Sequence, residues 1–200
     1  MTSTPQRPGG RSARVREAVL AATAAELSER GFAAMTIEDI AARSGVHKTT
    51  IYRRWSTLSQ LVADAAVEIS ATTVPIPDTG SIESDLREMA RSIVALVTSE
   101  SGGALVAALF SDAVRTPEVA RLKREFYSAR YELADIVVRR AVERGEISEK
   151  VSAADLLAAV AAPIYYRLLV ADLPVDRSVA DRAAAGALAA AHAGALDQTE

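Results

Sequence analysis

Apolar positions along this chain recur at spacings of three and four, the period of a helix packed on one side, and nowhere alternate in strand fashion. From Arg14, the residues Val15, Ala18, Val19, Ala22 and Leu27 form one such stripe, which Gly31 stops and Phe32 follows as an apolar clamp. Thr36 opens a second helix, with Asp39 as capping-box partner and Ile37, Ile40 and Ala41 as its buried side; Gly45 ends it. A third short helix runs from Lys48 to Arg54. Thr57 with Gln60 caps a fourth that continues to Thr72. TTVPIPDTGS, residues 72–81, reads as a linker. Beyond it, helices are predicted over Ile82–Thr98, Ala104–Val114, Pro117–Arg144, Ala153–Ala171 and Ser178–Ala195. Thr116 stands as a cap before Pro117. Val119, Leu122, Phe126, Ala129, Leu133, Ile136 and Val137 give the long seventh helix its stripe. Gly145 closes that helix, and Ser152 with Asp155 caps the next. Residues 1–12, with Pro5, Pro8, Gly9 and Gly10, predict no helix. The expected fold is all-α, about nine helices: a flexible basic arm (1–13), a helix-turn-helix unit (14–60) and a helical body (61–200).

Composition narrows the class. Half of the 200 residues are hydrophobic and 24% are charged, which suits a folded helical protein. Cysteine is absent, excluding disulfides and thiolate metal sites. No apolar run is expected to reach the ~18 residues of a membrane span, and MTSTPQRPGGRSAR lacks the apolar segment of a secretory signal, so a cytoplasmic protein is expected. Residues 1–60 carry nine Lys/Arg against five Asp/Glu, net +4. The remaining 140 carry 14 against 21, net −7. This asymmetry suggests a polyanion-binding end on an acidic body, although scattered surface charge gives the same totals.

The positive end concentrates in SGVHKTTIYRRWS, residues 44–56, with the only tryptophan. Two short helices around a glycine turn, with a third behind, form a helix-turn-helix, whose second short helix fits a DNA major groove. Val46, Ile51 and Trp55 fall on one side, to pack with Ile40, Ala41 and Leu61. Lys48, Thr49, Tyr52 and Arg53 fall on the other. Threonine methyls can meet thymine methyls and lysine can donate to guanine, while Thr50, Tyr52, Arg53 and Arg54 can reach phosphates. A merely solvated cationic helix face is the competing reading.

VLAATAAELSERGFAAM followed by TIEDIAARSGVHKTTIYRRWSTLSQLV resembles the tetracycline-repressor (TetR) family. The shared pattern is Gly-Phe, then Thr-Ile-x-x-Ile-Ala, then Gly-Val-x-x-x-Thr-Ile-Tyr-x-x-Trp, then Leu61, covering residues 14–62. The resemblance implies a homodimeric transcription regulator, usually a repressor, released from a palindromic operator by a small effector. It implies Lys48, Thr49 and Tyr52 toward bases, and Thr36, Thr50, Arg53 and Arg54 toward the DNA backbone. Leu58 stands where the family commonly has a phosphate-binding lysine, and Arg54 is a candidate substitute. His47 replaces a serine-like cap and reads either as a phosphate contact or as a surface turn residue. Arg14 is a candidate phosphate contact; Arg7 and Arg11 read as a tail or as a minor-groove arm.

The body shows no metal-binding histidine pair, Gly-rich phosphate loop or convergent catalytic set, so neither an enzyme nor a cofactor is expected. The last two helices are apolar on more than one side. Leu156, Val160, Ile164 and Leu168 with Ala184, Ala187, Leu188 and Ala191 are candidates for a four-helix homodimer interface, where the resemblance also places it. Pro163 should bend the eighth helix before Tyr165. Tyr165 and Tyr166, with Met89, Ile93, Leu96, Phe110, Phe126, Tyr127 and Tyr131, read either as core or as the lining of a largely apolar effector pocket.

Overall fold

The computed structural model describes residues 10–111 and 117–198. The amino-terminal unit holds α1 (Gly10–Arg30), a 3-10 turn (Phe32–Ala34), α2 (Ile37–Ser44), α3 (Lys48–Arg54) and α4 (Leu58–Thr73). The body holds α5 (Ile82–Thr98), α6 (Glu100–Ser111), α7 (Pro117–Glu143), α8 (Ala153–Tyr165), a π-helical turn (Tyr166–Val170) and α9 (Arg177–His192). Among the described residues, the only β pairing is an isolated bridge between Val151 and Asp197.

Several boundaries differ from the expectation, each for a local reason. Helix α1 begins at Gly10 rather than Arg14, because RSARVRE is rich in helix formers and a glycine at the free end costs little. Helix α6 begins at Glu100 rather than Ala104. A Cβ on Gly102 would stand 2.0 Å from the Leu96 carbonyl oxygen, so only glycine allows this close start beside the end of α5. Ser99 Oγ accepts the Gly102 N–H at 3.1 Å there. The predicted end at Val114 and the Thr116 cap lie outside the described residues. Helix α8 does not continue to Ala171. Pro163 has no N–H to give, and the chain widens into the π turn, where the Ala171 N–H reaches back to the Tyr166 carbonyl at 3.0 Å. On α7 the buried side runs through Phe126, Ala134, Val137, Val138 and Ala141, whereas Ala129 is exposed.

Two cores stack along the molecule. The first joins Val19, Leu27, Met35, Ile40, Ile51, Trp55 and Leu61 with Leu105 of α6 and Phe126 of α7. The second packs α5 against α8 and α9: Leu86, Met89, Ala90 and Ile93 meet Leu156, Val160 and Ile164, and the alanines 180, 183, 184, 187 and 191. Arg91 braces this packing with a two-pronged pair to Asp181 at 2.7 and 2.9 Å. Helix α4 belongs to both, giving Leu61, Val62, Ala65 and Ala66 to the first core and Ile69 and Val74 to the second.

The expectation of no span-length apolar run needs correction. Ala153–Val170 has that length and a mean hydropathy of 1.5. Leu156, Leu157, Val160, Ala161 and Ile164 of this window are buried within the chain, whereas Tyr166, Leu169 and Val170 are exposed.

Candidate nucleic-acid interface

Helix α3 is short, so its orientation is imposed by its surroundings. Upstream, Thr36 caps α2 in a closed box: its hydroxyl accepts the Asp39 N–H, and Asp39 Oδ2 accepts the Thr36 N–H, both at 3.2 Å. The Thr36 hydroxyl also donates to Asp39 Oδ2 at 2.6 Å, which with Arg30 holds the carboxyl below its usual range. Gly45 turns the chain into α3 at φ 66°, a left-handed conformation that L side chains resist. Arg43 ties α2 to α1. Its guanidinium donates to the buried Glu26 at 2.7 Å and grips both carboxylate oxygens of Glu29, which raises its pKa and lowers that of Glu29.

Downstream, Trp55 is buried, and its Nε1 donates to Asp64 Oδ2 of α4 at 2.8 Å. Arg16 of α1 lies 4.0 Å from the same carboxylate and pairs with Glu68 at 2.6 Å. Ile51 points the same way as Trp55 and is fully buried. Leu58, at the first turn of α4, is half-buried against this core.

With Ile51 and Trp55 inward, the polar side chains of α3 stand outward. Lys48, Thr49, Tyr52, Arg53 and Arg54 are exposed and Thr50 is half-exposed; Tyr52 presents 46% of its surface, much for an aromatic ring. They divide into two sets. His47, Thr50, Arg53 and Arg54 line a groove of about 860 Å³ with Ser12 and Val15 of α1 and Trp55. Lys48, Thr49 and Tyr52 lie outside it. Lys48 Nζ is 3.8 Å from Glu38, an exposed pair that a stronger anion can displace. Arg54 covers the Trp55 ring at 5.4 Å and donates to Ser12 at 3.4 Å. His47 makes no side-chain cap to α3, and its Nδ1 is 3.5 Å from the Thr49 hydroxyl. Arg14 is exposed on α1. Arg7 lies outside the described residues, and the Arg11 side chain is not described. Ser12 falls within the stretch whose prolines and glycines predict no helix, and the helix-forming run after Gly10 is the signal that places it on α1.

Residues 19–65 match the family model for bacterial regulatory proteins of the tetR family, and residues 76–187 match the model for the tetracyclin repressor-like C-terminal domain. The chain belongs to the TetR family. It is a DNA-binding transcriptional regulator with an N-terminal helix-turn-helix and a C-terminal helical domain. It is similar to the HTH-type transcriptional regulator AqdR of Rhodococcus erythropolis, 37% identical over 142 residues, covering 71% of this chain and 68% of AqdR. The uncharacterized HTH-type transcriptional regulator YdeS of Bacillus subtilis is 28% identical over 162 residues, covering 81% of this chain and 82% of YdeS. Among solved structures, the TetR family transcription regulator SCO0332 superposes with a TM-score of 0.76 at 33% identity, covering 88% of this chain and 97% of that one.

In the TetR-family body, the structure sorts the candidate effector residues. Phe110 and Tyr165 stand 5.5 Å apart between ring centroids, Phe126 and Tyr127 5.1 Å, and Tyr127 and Tyr131 6.3 Å. Burial raises the pKa of both Tyr127 and Tyr165. Lys123 Nζ sits 3.8 Å over the Phe110 ring, and burial lowers its pKa. Met89, Ile93 and Leu96 are buried in the α5 core beside this cluster. Tyr166 is not brought to it: one residue past Tyr165 the helix has turned, leaving Tyr166 60% exposed beside Leu169, Val170 and Leu173.

The candidate dimer residues are likewise corrected. Leu156, Val160, Ile164, Ala184, Ala187 and Ala191 are buried between α5, α8 and α9 of one chain, with Leu168 and Leu188 partly buried against them. The six buried residues present no outer surface, while Leu168 and Leu188 present part of theirs. The outer side holds Ala162, Pro163, Ala185, Gly186 and Ala189, next to a shallow groove of about 320 Å³ lined by Ala159, Arg167, Arg182 and Gly186. The small residues Ala183, Ala184, Ala187 and Ala191 lie on the buried side of α9, which an alanine-rich sequence does little to mark.

Proposed function

We propose that this TetR-family regulator is a homodimeric repressor acting in the cytoplasm, which holds a near-palindromic operator and leaves it when a small, largely apolar effector binds the body. The observation that carries the reading is the outward set on α3, braced on both sides by Arg43 and by the Trp55–Asp64 bond. Lys48, Thr49 and Tyr52 read base edges; His47, Thr50, Arg53, Arg54 and Arg14 hold phosphates, with Arg54 taking the part Leu58 cannot. Thr36 contributes through the N-terminus of α2, since its hydroxyl is committed to Asp39.

Two copies meet through the outer sides of α8 and α9, where small residues permit close approach and Tyr166, Leu169, Val170 and Leu173 supply apolar area. Pairing sets the two α3 helices about one DNA turn apart, ~34 Å. An effector among Phe110, Tyr127, Tyr131 and Tyr165 changes that spacing through α4, which belongs to both cores. It does so only by binding the two conformations unequally. The test is selection from random duplex DNA, with mass measurement of the complex. The reading expects two inverted half-sites and two chains per site. Enrichment of no sequence, or a single chain per site, overturns it.

A further inference from the structure

Arg130 reaches the end of α4 from the aromatic stretch of α7. It lies on α7, three residues beyond Tyr127 and beside Tyr131. Its Nη1 and Nη2 both donate to the carbonyl oxygen of Val74, each at 3.2 Å. Val74 is the C-cap of α4 and is buried, so this carbonyl belongs to the negative end of the α4 dipole. Tyr165, whose ring stands 5.5 Å from that of Phe110, bears electrostatically on the guanidinium.

Arg130 and Arg167 each donate twice to a backbone carbonyl, Arg167 to that of Pro174. Arg43, Arg91 and Arg144 each meet a carboxylate. Arg130 is half-buried and meets a backbone carbonyl in place of a carboxylate. Burial pulls its pKa down, and no carboxylate among the described residues offsets this. A guanidinium has five donors in a planar fork shaped for a carboxylate, and a two-pronged charged pair with one is stronger than its bonds to a neutral carbonyl. The paired rings Phe110–Tyr165 and Tyr127–Tyr131 offer stacking partners for an aromatic ligand, and Lys123 stands over Phe110.

We propose that the effector is an aromatic monocarboxylate whose carboxylate takes the Arg130 guanidinium from the Val74 carbonyl, releasing the end of α4. This rests on the repressor reading above and adds the ligand's charge and the residue that reads it. In the unliganded form the two-pronged bond fixes where α4 ends. With the carboxylate bound, the stronger charged partner wins the same donors and the Val74 carbonyl is left to the rest of its turn. A neutral ligand of equal shape stacks on the rings but does not compete for the fork.

The probes are benzoate, 3-phenylpropanoate and naphthalene-2-carboxylate, each against its carboxamide, on the full chain. Melting temperature reports binding, and anisotropy of selected duplex DNA reports release. At least one acid should bind roughly ten-fold or more tighter than its amide and release DNA at concentrations where the amide does not. Arg130→Gln should remove that preference while still binding DNA, and Arg130→Lys should keep part of it. Amide exchange in Ser70–Val74 should quicken on adding the acid, and in Arg130→Gln without it. Equal binding of acids and amides, or an acid preference that survives in Arg130→Gln, overturns the proposal. Failure of the repressor reading is separate: the wild-type chain then selects no DNA, whatever the acids do.

Discussion

Trp55→Phe removes one hydrogen bond and part of one ring at the hinge between α3 and α4, and its cost follows from the structure. The Trp55 indole is 2% exposed and donates to Asp64 at 2.8 Å. A hydrogen bond to a charged acceptor contributes ~1.5–3 kcal/mol, and the lower end applies because the Asp64 side chain is 44% exposed. The smaller ring leaves a gap in a fully packed core and costs about 1 kcal/mol more. The sum, about 2–3 kcal/mol, lowers the melting temperature by roughly 5–10 °C in a chain of this size. Operator affinity should also fall several-fold at 20 °C, where the variant remains folded, because the C-terminal end of α3 is then no longer tied to Asp64 of α4. The assay is thermal unfolding followed by circular dichroism, with DNA anisotropy on the same samples. A double-mutant cycle with Asp64→Asn should return a coupling of about 1 kcal/mol. Unchanged melting, or costs of Trp55→Phe and Asp64→Asn that add without coupling, refutes the bracing argument.

Other consequences are equally direct. Gly186 is exposed inside α9 and a Cβ there meets nothing within 4 Å, so Gly186→Arg should leave the fold intact and halve the mass seen by light scattering; an intact dimer would remove the outer-face assignment. Gly45→Ala forces a side chain into φ 66° and should cost ~1 kcal/mol, read by denaturant midpoint. The carboxyls of Asp39 and Asp181 are held low by Thr36 and Arg91 respectively. Groups with depressed folded pKa stabilise above their unfolded pKa, ~3.9. Their contribution is therefore present at neutral pH and lost as pH falls below about 4. Asp181→Asn should flatten that acid limb in a stability-versus-pH series, and an unchanged limb would show that Asp181 contributes nothing to it.

The amino-terminal unit was legible because its determinants are local. Thr36 with Asp39, Gly45, and Thr57 with Gln60 each act within four residues, and all three devices stand where the spacing put them. The inward set Ile40, Ile51, Trp55 and Leu61 follows from period alone. In the body, the determinants are distant. Which side of α9 is buried depends on α5 and on the Arg91–Asp181 pair, ninety residues apart in sequence. Alanines on every side of α9 carry no such information, so the small-residue stripe pointed inward rather than out. Arg130 was passed over for a similar reason: its partner is a backbone carbonyl 56 positions away, which no side-chain pattern records. The Leu58 departure, by contrast, has a local outcome, a side chain folded onto the core with Arg54 exposed beside it.

The central claim is that the outward side of α3 reads DNA, and the salt dependence of operator binding tests it most directly. The account predicts that Lys48→Ala with Tyr52→Ala abolishes preference for the selected site over random duplex while melting temperature is unchanged. It predicts that Arg53→Ala with Arg54→Ala weakens both alike and reduces the slope of log K against log salt by about 2. Retained site preference in the first variant, with wild-type slope in the second, would contradict it.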